Sequence, residues 1–424
     1  RQLHAVESWL PSSAQSRAAR ADEMATDRLR RDYEIWKAKA TPTEVYSDIC
    51  AELVASGQVQ PPAVHIFGHG RSQSALADAM DELGKSWLPP GRVVIHSDLP
   101  APDGLGDDMQ WIGPGDALPG GHDDEWVVLM EAGTQLEPYA LIELMAAAHS
   151  RADARMVYAA HDVPLAPGQS LPQFTGGANV EWLRGTNYMG GVAAVRAAAW
   201  AEIPGRERYS SAYRLALRSS ALHGAPSVHY VDKVLSHAAA QLAQGQESDE
   251  YAAAQAELQL LHPGATLEAS DLLGCWRVRY PDGGGAVTLI VPTGKQQGYL
   301  RSLLLSCIRC CPGDIHEAVL VVQDEDLHSM EQFVQQWPHT AALPLRLVAS
   351  GDGPYSHARS VNLGMAAASS ALVLVCDDDI ELLDSTTVRE LRRLFAEDAV
   401  AVAAPRLVLQ QGVNPLIVGG PHLP

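Results

Sequence analysis

The sequence predicts an α/β protein: two units in series, each built on a mostly parallel sheet wrapped by helices, preceded by a helical segment. Three observations carry this reading. Short apolar runs of about five residues alternate with amphipathic stretches of about ten to fifteen, as strand–helix–strand repeats require. The alternation occurs twice, about one domain length apart, on either side of Pro281-Asp282-Gly283-Gly284-Gly285. Apolar residues make up 46% of the chain, enough to fill such cores. The expected divisions are a helical segment at 1–60, a first α/β unit at 61–265, a linker at 266–285, and a second unit at 286–424 that ends early.

Residues from about 15 to 40 are rich in Ala, Arg, Glu and Lys and lack Gly and Pro, which favours one long helix with Leu29, Tyr33 and Trp36 able to pack. After Pro61-Pro62, residues 63–67 form the first strand, and Ser72 is placed to cap a helix running to Leu83. Strands follow at 92–96, ending near Asp98, at 109–112, and at 126–130, the last leading into Glu131-Ala132-Gly133. A helix over 137–150 precedes a strand at 154–158. Beyond Pro172 the pattern loosens into strands at 192–195 and 227–231, a helix at 211–218, and an Ala- and Gln-rich helix from about 236 to 261.

The second unit repeats the order more cleanly. A strand at 287–291 is followed by a helix at 297–310, a strand at 318–322 ending in Gln323-Asp324, and a strand at 345–349. A glycine-rich loop, Gly351-Asp352-Gly353-Pro354, opens a helix at 356–369. Residues 372–376 are wholly apolar without polar alternation, which predicts a strand buried on both faces, and they run into Asp377-Asp378-Asp379. A helix at 383–395 and a strand at 400–404 follow.

The formal charge of −20 disfavours a general nucleic-acid binder, which needs clustered Lys and Arg against phosphate. No apolar run is long enough to span a bilayer. Of six cysteines, only Cys307, Cys310 and Cys311 cluster, without a second pair at zinc spacing, so reduced and mostly buried thiols are expected. The start at Arg1 and the stop at Pro424 suggest a fragment.

In open α/β sheets, ligands bind beyond the carboxyl ends of the strands, where the three aspartates fall. Asp377 and Asp379, two apart, can together hold one hard divalent cation, Mg2+ or Mn2+, whose shell water and substrate phosphate complete. A solvated acidic turn is the alternative this motif leaves open.

The second unit resembles the N-terminal half of a family 2 glycosyltransferase with the GT-A fold. The residues that carry the resemblance are the strand Val287-Thr288-Leu289-Ile290-Val291-Pro292-Thr293, Asp324 at a strand end, the segment Tyr355 to Gly364, and Asp377-Asp378-Asp379. The first unit resembles the same fold over 63–237, through Tyr158 to Asp162, Trp182 to Tyr188, and Tyr213 to His237. The tandem order is similar to bacterial enzymes that build surface polysaccharides.

The resemblance implies sugar transfer from a nucleotide-diphosphate donor to a glycan or lipid-linked glycan hydroxyl, with inversion. It implies a cytoplasmic protein that such an acceptor would bring to the inner face of the membrane. Asp377 and Asp379 become metal ligands, with Pro292, Thr293, Asp324, Arg359, Asn362 and Asp378 around the donor. Arg359 and Asn362, three apart on one helical face, suit the diphosphate or the metal-binding loop, and a surface salt bridge suits Arg359 equally. His357 reads as a surface or capping residue.

Two departures qualify this. The first unit has Glu131-Ala132-Gly133 where two metal carboxylates are wanted, and no acid where the family's base would start the helix at Ser210; its late histidine, His237, suits capping or packing. That unit reads as degenerate. In the second unit no residue can be named general base. A non-catalytic pseudo-transferase that binds glycan or scaffolds a partner is therefore the competing reading. A sugar nucleotidyltransferase would need more than the thin Gly294-Lys295 loop, and an aspartyl phosphatase would carry its acids after its first strand.

Overall fold

The computed structural model describes residues 28–37, 39, 44–116, 126–166, 169–238, 246–270, 274–294, 296–398, 400–405, 407–411 and 414–418. The helix read from 15 to 40 is therefore described from residue 28 onward, and Lys295 and Gly419-Gly420 lie outside the described residues. The chain divides into two compact units, Arg1–Val278 and Arg279–Pro424. Among the described residues, no helix is long and apolar enough to cross a membrane.

In the first unit, β1 (Ala63–Phe67), β2 (Arg92–His96), β3 (Met109–Ile112) and β4 (Trp126–Glu131) lie side by side in the order β3-β2-β1-β4, all parallel. The last four residues of β1, the last four of β2 and all of β4 are buried, as strands covered on both faces must be. Beyond β4 the sheet turns mixed. The strands β5 (Gln135–Leu136), β6 (Met156–Ala166), β7 (Gln169–Gln173), β8 (Val192–Arg196) and β9 (Val228–His237) extend it in the order β4-β8-β6-β9-β5. The helix Gln73–Gly84 begins at Ser72, whose side chain accepts the Ala75 N–H at 3.3 Å, as its sequence position predicts.

Three expectations are corrected here. The helix expected from residue 236 is Gln246–Leu261, because Ser236 and His237 stay in β9 and pair with β5 and β6. The strand expected to end at Tyr158 continues to Ala166, held by β7 on one side and β9 on the other. The stretch expected as linker from 266 contains a small sheet, β10 (Thr266–Ala269) with β11 (Trp276–Arg279). Trp276 is buried there, its ring edge-on to Tyr251 and its indole N–H donating to the Arg184 carbonyl.

The second unit repeats the parallel order. The strands β12 (Val287–Pro292), β13 (Ile315–Val322), β14 (Leu345–Ala349) and β15 (Leu372–Val375) run β14-β13-β12-β15. The helix Gln297–Cys310 turns Leu300, Leu303, Leu304 and Cys307 onto the core with Leu289, Val291, Leu320 and Phe333. The helix His357–Ala367 covers the other face, and Gly364 lets it approach: a Cβ there would stand 2.4 Å from Ile290 Cγ2.

Two further expectations fail in this unit. β15 is not buried on both faces: Leu372, Val373 and Leu374 are half-buried and Val375 is exposed, because β15 has β12 on one side and is the edge of the described sheet. Residues 400–404 are irregular, and the following strands, β16 (Leu407–Gln411) and β17 (Asn414–Val418), form an antiparallel pair. The described cysteines are free thiols, all buried except the half-buried Cys275.

Candidate functional site

In the second unit, the predicted residues gather at the carboxyl ends of the four parallel strands. Ile290 pairs with Val375, and Cys376 N–H donates to the Ile290 carbonyl at 3.0 Å, so continuing the register sets Asp377 beside Pro292. Thr293 follows Pro292, and its hydroxyl donates to Asp378 Oδ2 at 2.7 Å. The middle aspartate is thus oriented by the first strand of the unit, while Asp377 and Asp379 are left exposed. The turn after them is pinned by Leu382, which is buried; its N–H donates to Ser306 Oγ at 3.0 Å and its carbonyl accepts from Cys310 Sγ at 3.1 Å.

Asp324 follows β13 by two residues, and its Oδ1 accepts the Gly351 N–H at 3.0 Å. Gly351 has a φ of 81°, and a Cβ on it would stand 2.9 Å from Arg359 Nη2. The glycine-rich loop is therefore the surface on which the Arg359 guanidinium rests, and Arg359 makes no salt bridge among the described residues. Asn362 is exposed one turn further along the same helix. Ser356 caps that helix, accepting the Arg359 N–H at 3.4 Å.

His357 Nδ1 stands 3.8 Å from Asp377 Oδ1 and 3.2 Å from the Tyr355 hydroxyl. Burial, then the Asp377 and Asp378 carboxylates, push the Tyr355 phenol up. Burial and Asp377 together push the Cys376 thiol up to about 12, so it stays protonated beside the acids. No group of three or more His, Cys, Asp or Glu residues able to hold a metal occurs among the described residues. The donor set is two exposed hard oxygen ligands in a negative field. That suits Mg2+ or Mn2+ completed by water and phosphate, and does not suit an all-protein cage.

Sequence reasoning missed a second site. In the first unit, a cavity of about 440 Å3 opens at the carboxyl ends of β1, β2 and β4, lined among others by Phe67, Asp98, Glu131, Glu207, Tyr209 and Glu250. Glu131 pairs with Phe67 in register, the position Asp377 takes beside Pro292. Asp98 follows β2 by two residues, as Asp324 follows β13. Arg71 Nη2 stands 2.5 Å from Glu131 Oε1, with both side chains nearly buried. A guanidinium thus neutralises the carboxylate where the resemblance asks for metal ligands. No acid starts the helix Ser210–His223, but Glu207 just before it and Glu250 from the helix Gln246–Leu261 do face the cavity. The separation of about forty residues between them hid this grouping. Burial, then Glu131 and Glu250, push the Tyr209 phenol up, while its hydroxyl donates to the Gly190 carbonyl at 2.8 Å.

Both ring nitrogens of His237 face carboxylates. Its Nδ1 lies 2.7 Å from Asp162 Oδ1 and its Nε2 3.2 Å from Glu137 Oε1. Asp162 also accepts from Tyr33 Oη at 2.8 Å and Ser170 Oγ at 2.9 Å, which docks the helix at 28–37 onto β6.

No family model matches the chain. A curated relative, the O-antigen biosynthesis protein RfbC of Myxococcus xanthus, is 25% identical over 301 residues, covering 68% of this chain and 23% of that protein. The chain thus spans about a quarter of that relative's length. The mannosyltransferase PcManGT from Pyrobaculum calidifontis, solved with GDP-Man and Mn2+, matches at 20% identity over 29% of this chain and 35% of that one, with a TM-score of 0.25. Glucosyl-3-phosphoglycerate synthase from Mycobacterium tuberculosis, solved with Mn2+ and UDP, matches at 10% identity over 54% of this chain and 90% of that one, with a TM-score of 0.37. The proteins this chain is similar to thus include two solved glycosyltransferases and an O-antigen biosynthesis protein.

Proposed function

We propose that the chain is part of a glycosyltransferase that moves a sugar from a nucleotide-diphosphate donor to a glycan acceptor in bacterial surface-polysaccharide synthesis. In this reading the chain is a tandem of two GT-A units, at 61–265 and from 286 onward, behind the helical segment at 1–60. The second unit carries the donor end. One observation supports it above the others: Asp377 to Asp379, Thr293 and Asp324 meet at the carboxyl ends of strands ordered β14-β13-β12-β15. Ligands of open α/β sheets bind at that place.

Roles follow from geometry. Asp377 and Asp379 would hold Mg2+ or Mn2+, which when bound supplies Lewis-acid stabilisation to the departing diphosphate. Mn2+ accompanies the donor or nucleotide in both solved neighbours. Thr293 keeps Asp378 turned toward β12 and so sets the direction of the two acids on either side of it. Asp324 has committed one oxygen to Gly351, and its other oxygen suits a ribose hydroxyl or the base. Arg359, resting on Gly351, and Asn362 one turn later suit the diphosphate. Inversion, a lipid-linked acceptor and association with the inner membrane face belong to the same proposal.

A second reading is favoured by one contact. Arg71 occupies Glu131, so the first unit is a non-catalytic, glycan-binding or scaffolding relative of the second. Titration calorimetry with nucleoside diphosphates tests the assignment. Binding is expected to require Mn2+ and to be lost in Asp377→Ala/Asp379→Ala; metal-independent binding untouched by that variant would remove the transferase site.

A further inference from the structure

The cavity of the first unit differs in charge from a site built for a diphosphate. Five carboxylates line it against one arginine, Arg208, and that arginine is already engaged by Asp249. A further guanidinium, Arg71, is paired with the lining carboxylate Glu131. A nucleotide diphosphate would bring two or more negative charges into this field, where among the described lining residues only Arg208, paired with Asp249, and His69 could answer them. The carboxylates are instead acceptors for N–H and O–H donors. Phe67 and Tyr209 add buried aromatic walls beside them, the combination that suits a ring with polar edges and an apolar face. The volume, about 440 Å3, falls within the usual range for small-molecule sites, roughly 300–1,000 Å3.

We propose that this cavity is a binding subsite for a saccharide bearing a free amino group, held by its ammonium and hydroxyls on Asp98, Glu207 and Glu250. The proposal rests on reading the chain as a sugar-handling protein, and it assigns the two units different ligands. The second unit takes the activated donor through a metal. The first takes an unphosphorylated, amino-bearing sugar without one. Glu250 is the inner acceptor: it is nearly buried and already accepts from Asn187 Nδ2 at 2.9 Å, which fixes its direction. Asp98 and Glu207 are exposed at the mouth, so their charge can be removed without opening the core.

Calorimetric titration of the full chain with the glucosamine disaccharide, with its N-acetylated form, and with UDP and GDP in the presence of Mn2+ decides the matter. Saturable binding of the amino disaccharide is expected, weakened by salt and roughly tenfold or more weaker in Asp98→Asn/Glu207→Gln. It should be unchanged in Asp377→Ala/Asp379→Ala and not displaced by either nucleotide. Absence of saturable binding, equal affinity for the N-acetylated form, insensitivity to Asp98→Asn/Glu207→Gln, or displacement by a nucleotide would each overturn the proposal. If it fails while Mn2+-dependent nucleotide binding at the second unit persists, only the subsite falls. If nucleotide binding is lost as well, the transferase reading falls with it.

Discussion

The His237 clasp gives a prediction whose size and sign both follow from its contacts. Burial alone would lower the imidazole, but the hydrogen bonds it donates to Asp162 and Glu137 outweigh it and raise His237 to about 9. The Asp162 carboxyl, which burial would raise, is drawn down to about 2 by His237, Tyr33 and Ser170. The Asp162 side chain is 1% exposed and His237 21%, so solvent screens the pair little. A rise of some two and a half units in the histidine corresponds to about 3 kcal/mol. Asp162 reports the same contact from its other end, so the two are not added. Because the folded value is raised, the contribution is complete below about pH 6.5 and fades as pH climbs toward 9. The carboxylate share is present above about pH 4 and is lost on acidification through about 2. The perturbation is His237→Gln, and the assay is urea denaturation of wild type and variant at pH 6, 8 and 9.5. Taking the difference between the two proteins cancels every other titrating group. The difference should be about 3 kcal/mol at pH 6 and shrink to roughly 1 kcal/mol at pH 9.5, where the wild-type ring is also neutral. A difference that holds constant across this range would refute the charged clasp and leave His237 as an ordinary packed ring.

Three further outcomes are expected. His65 and His96 share a 2.9 Å hydrogen bond inside the first unit, and burial first, then nearby positive groups, lower them to about 4 and about 3. Their contribution is present above about pH 6.5 and is lost as pH falls toward 4, on the order of 3 kcal/mol by urea denaturation, a decline that His65→Phe/His96→Phe should largely remove. Arg392 holds Asp282 through two hydrogen bonds, at 2.7 and 2.6 Å, and Asp314 at 3.2 Å, so Arg392→Ala should make the connector at 281–285 cleavable by a broad protease at concentrations that spare wild type. Gly364→Ala should destabilise the second unit by about 1–3 kcal/mol, read as a fall in its unfolding midpoint, since the new methyl meets Ile290 at 2.4 Å and Val321 at 3.2 Å.

The parallel strands were legible because a strand covered on both faces must be largely apolar; Val127 to Met130 and Leu289 to Val291 meet that condition throughout, and Val64 to Phe67 meets it but for the buried His65. The same rule misled at β15. Four apolar residues at a sheet edge look the same in sequence as four in its centre, and only the pairing distinguishes them. Alanine and glutamine following residues 236 and 237 favour a helix there, yet two ladder partners and the His237–Asp162 contact hold them extended. Thr293, Asp324 and Asp377 to Asp379 were legible as a group because each follows the carboxyl end of a parallel strand by a few residues. The cavity of the first unit was not legible, because Glu207 and Glu250 belong to no common motif: one lies in the turn before the helix Ser210–His223, the other in the helix Gln246–Leu261, and only the fold brings both to the cavity. Arg71 was equally hidden: nothing in Gly70-Arg71-Ser72 announces a partner sixty residues away.

The two units place differently partnered carboxylates at the ends of parallel strands in the same order. Where β4 ends, Glu131 meets a guanidinium supplied by its own unit. Where β15 ends, Asp377 meets a histidine at 3.8 Å and Asp378 meets a neutral hydroxyl. A carboxylate already paired with a nearly buried arginine gains little from a cation, and displacing the arginine would strand its charge at a cost of several kcal/mol. Carboxylates answered by a hydroxyl and an exposed imidazole keep their appetite for a cation. Metal dependence in this chain should therefore divide by unit: Mn2+ should raise the unfolding midpoint of the second unit and leave the first unmoved, and Arg71→Ala should destabilise the first unit without conferring a metal response, because one glutamate alone makes a poor site.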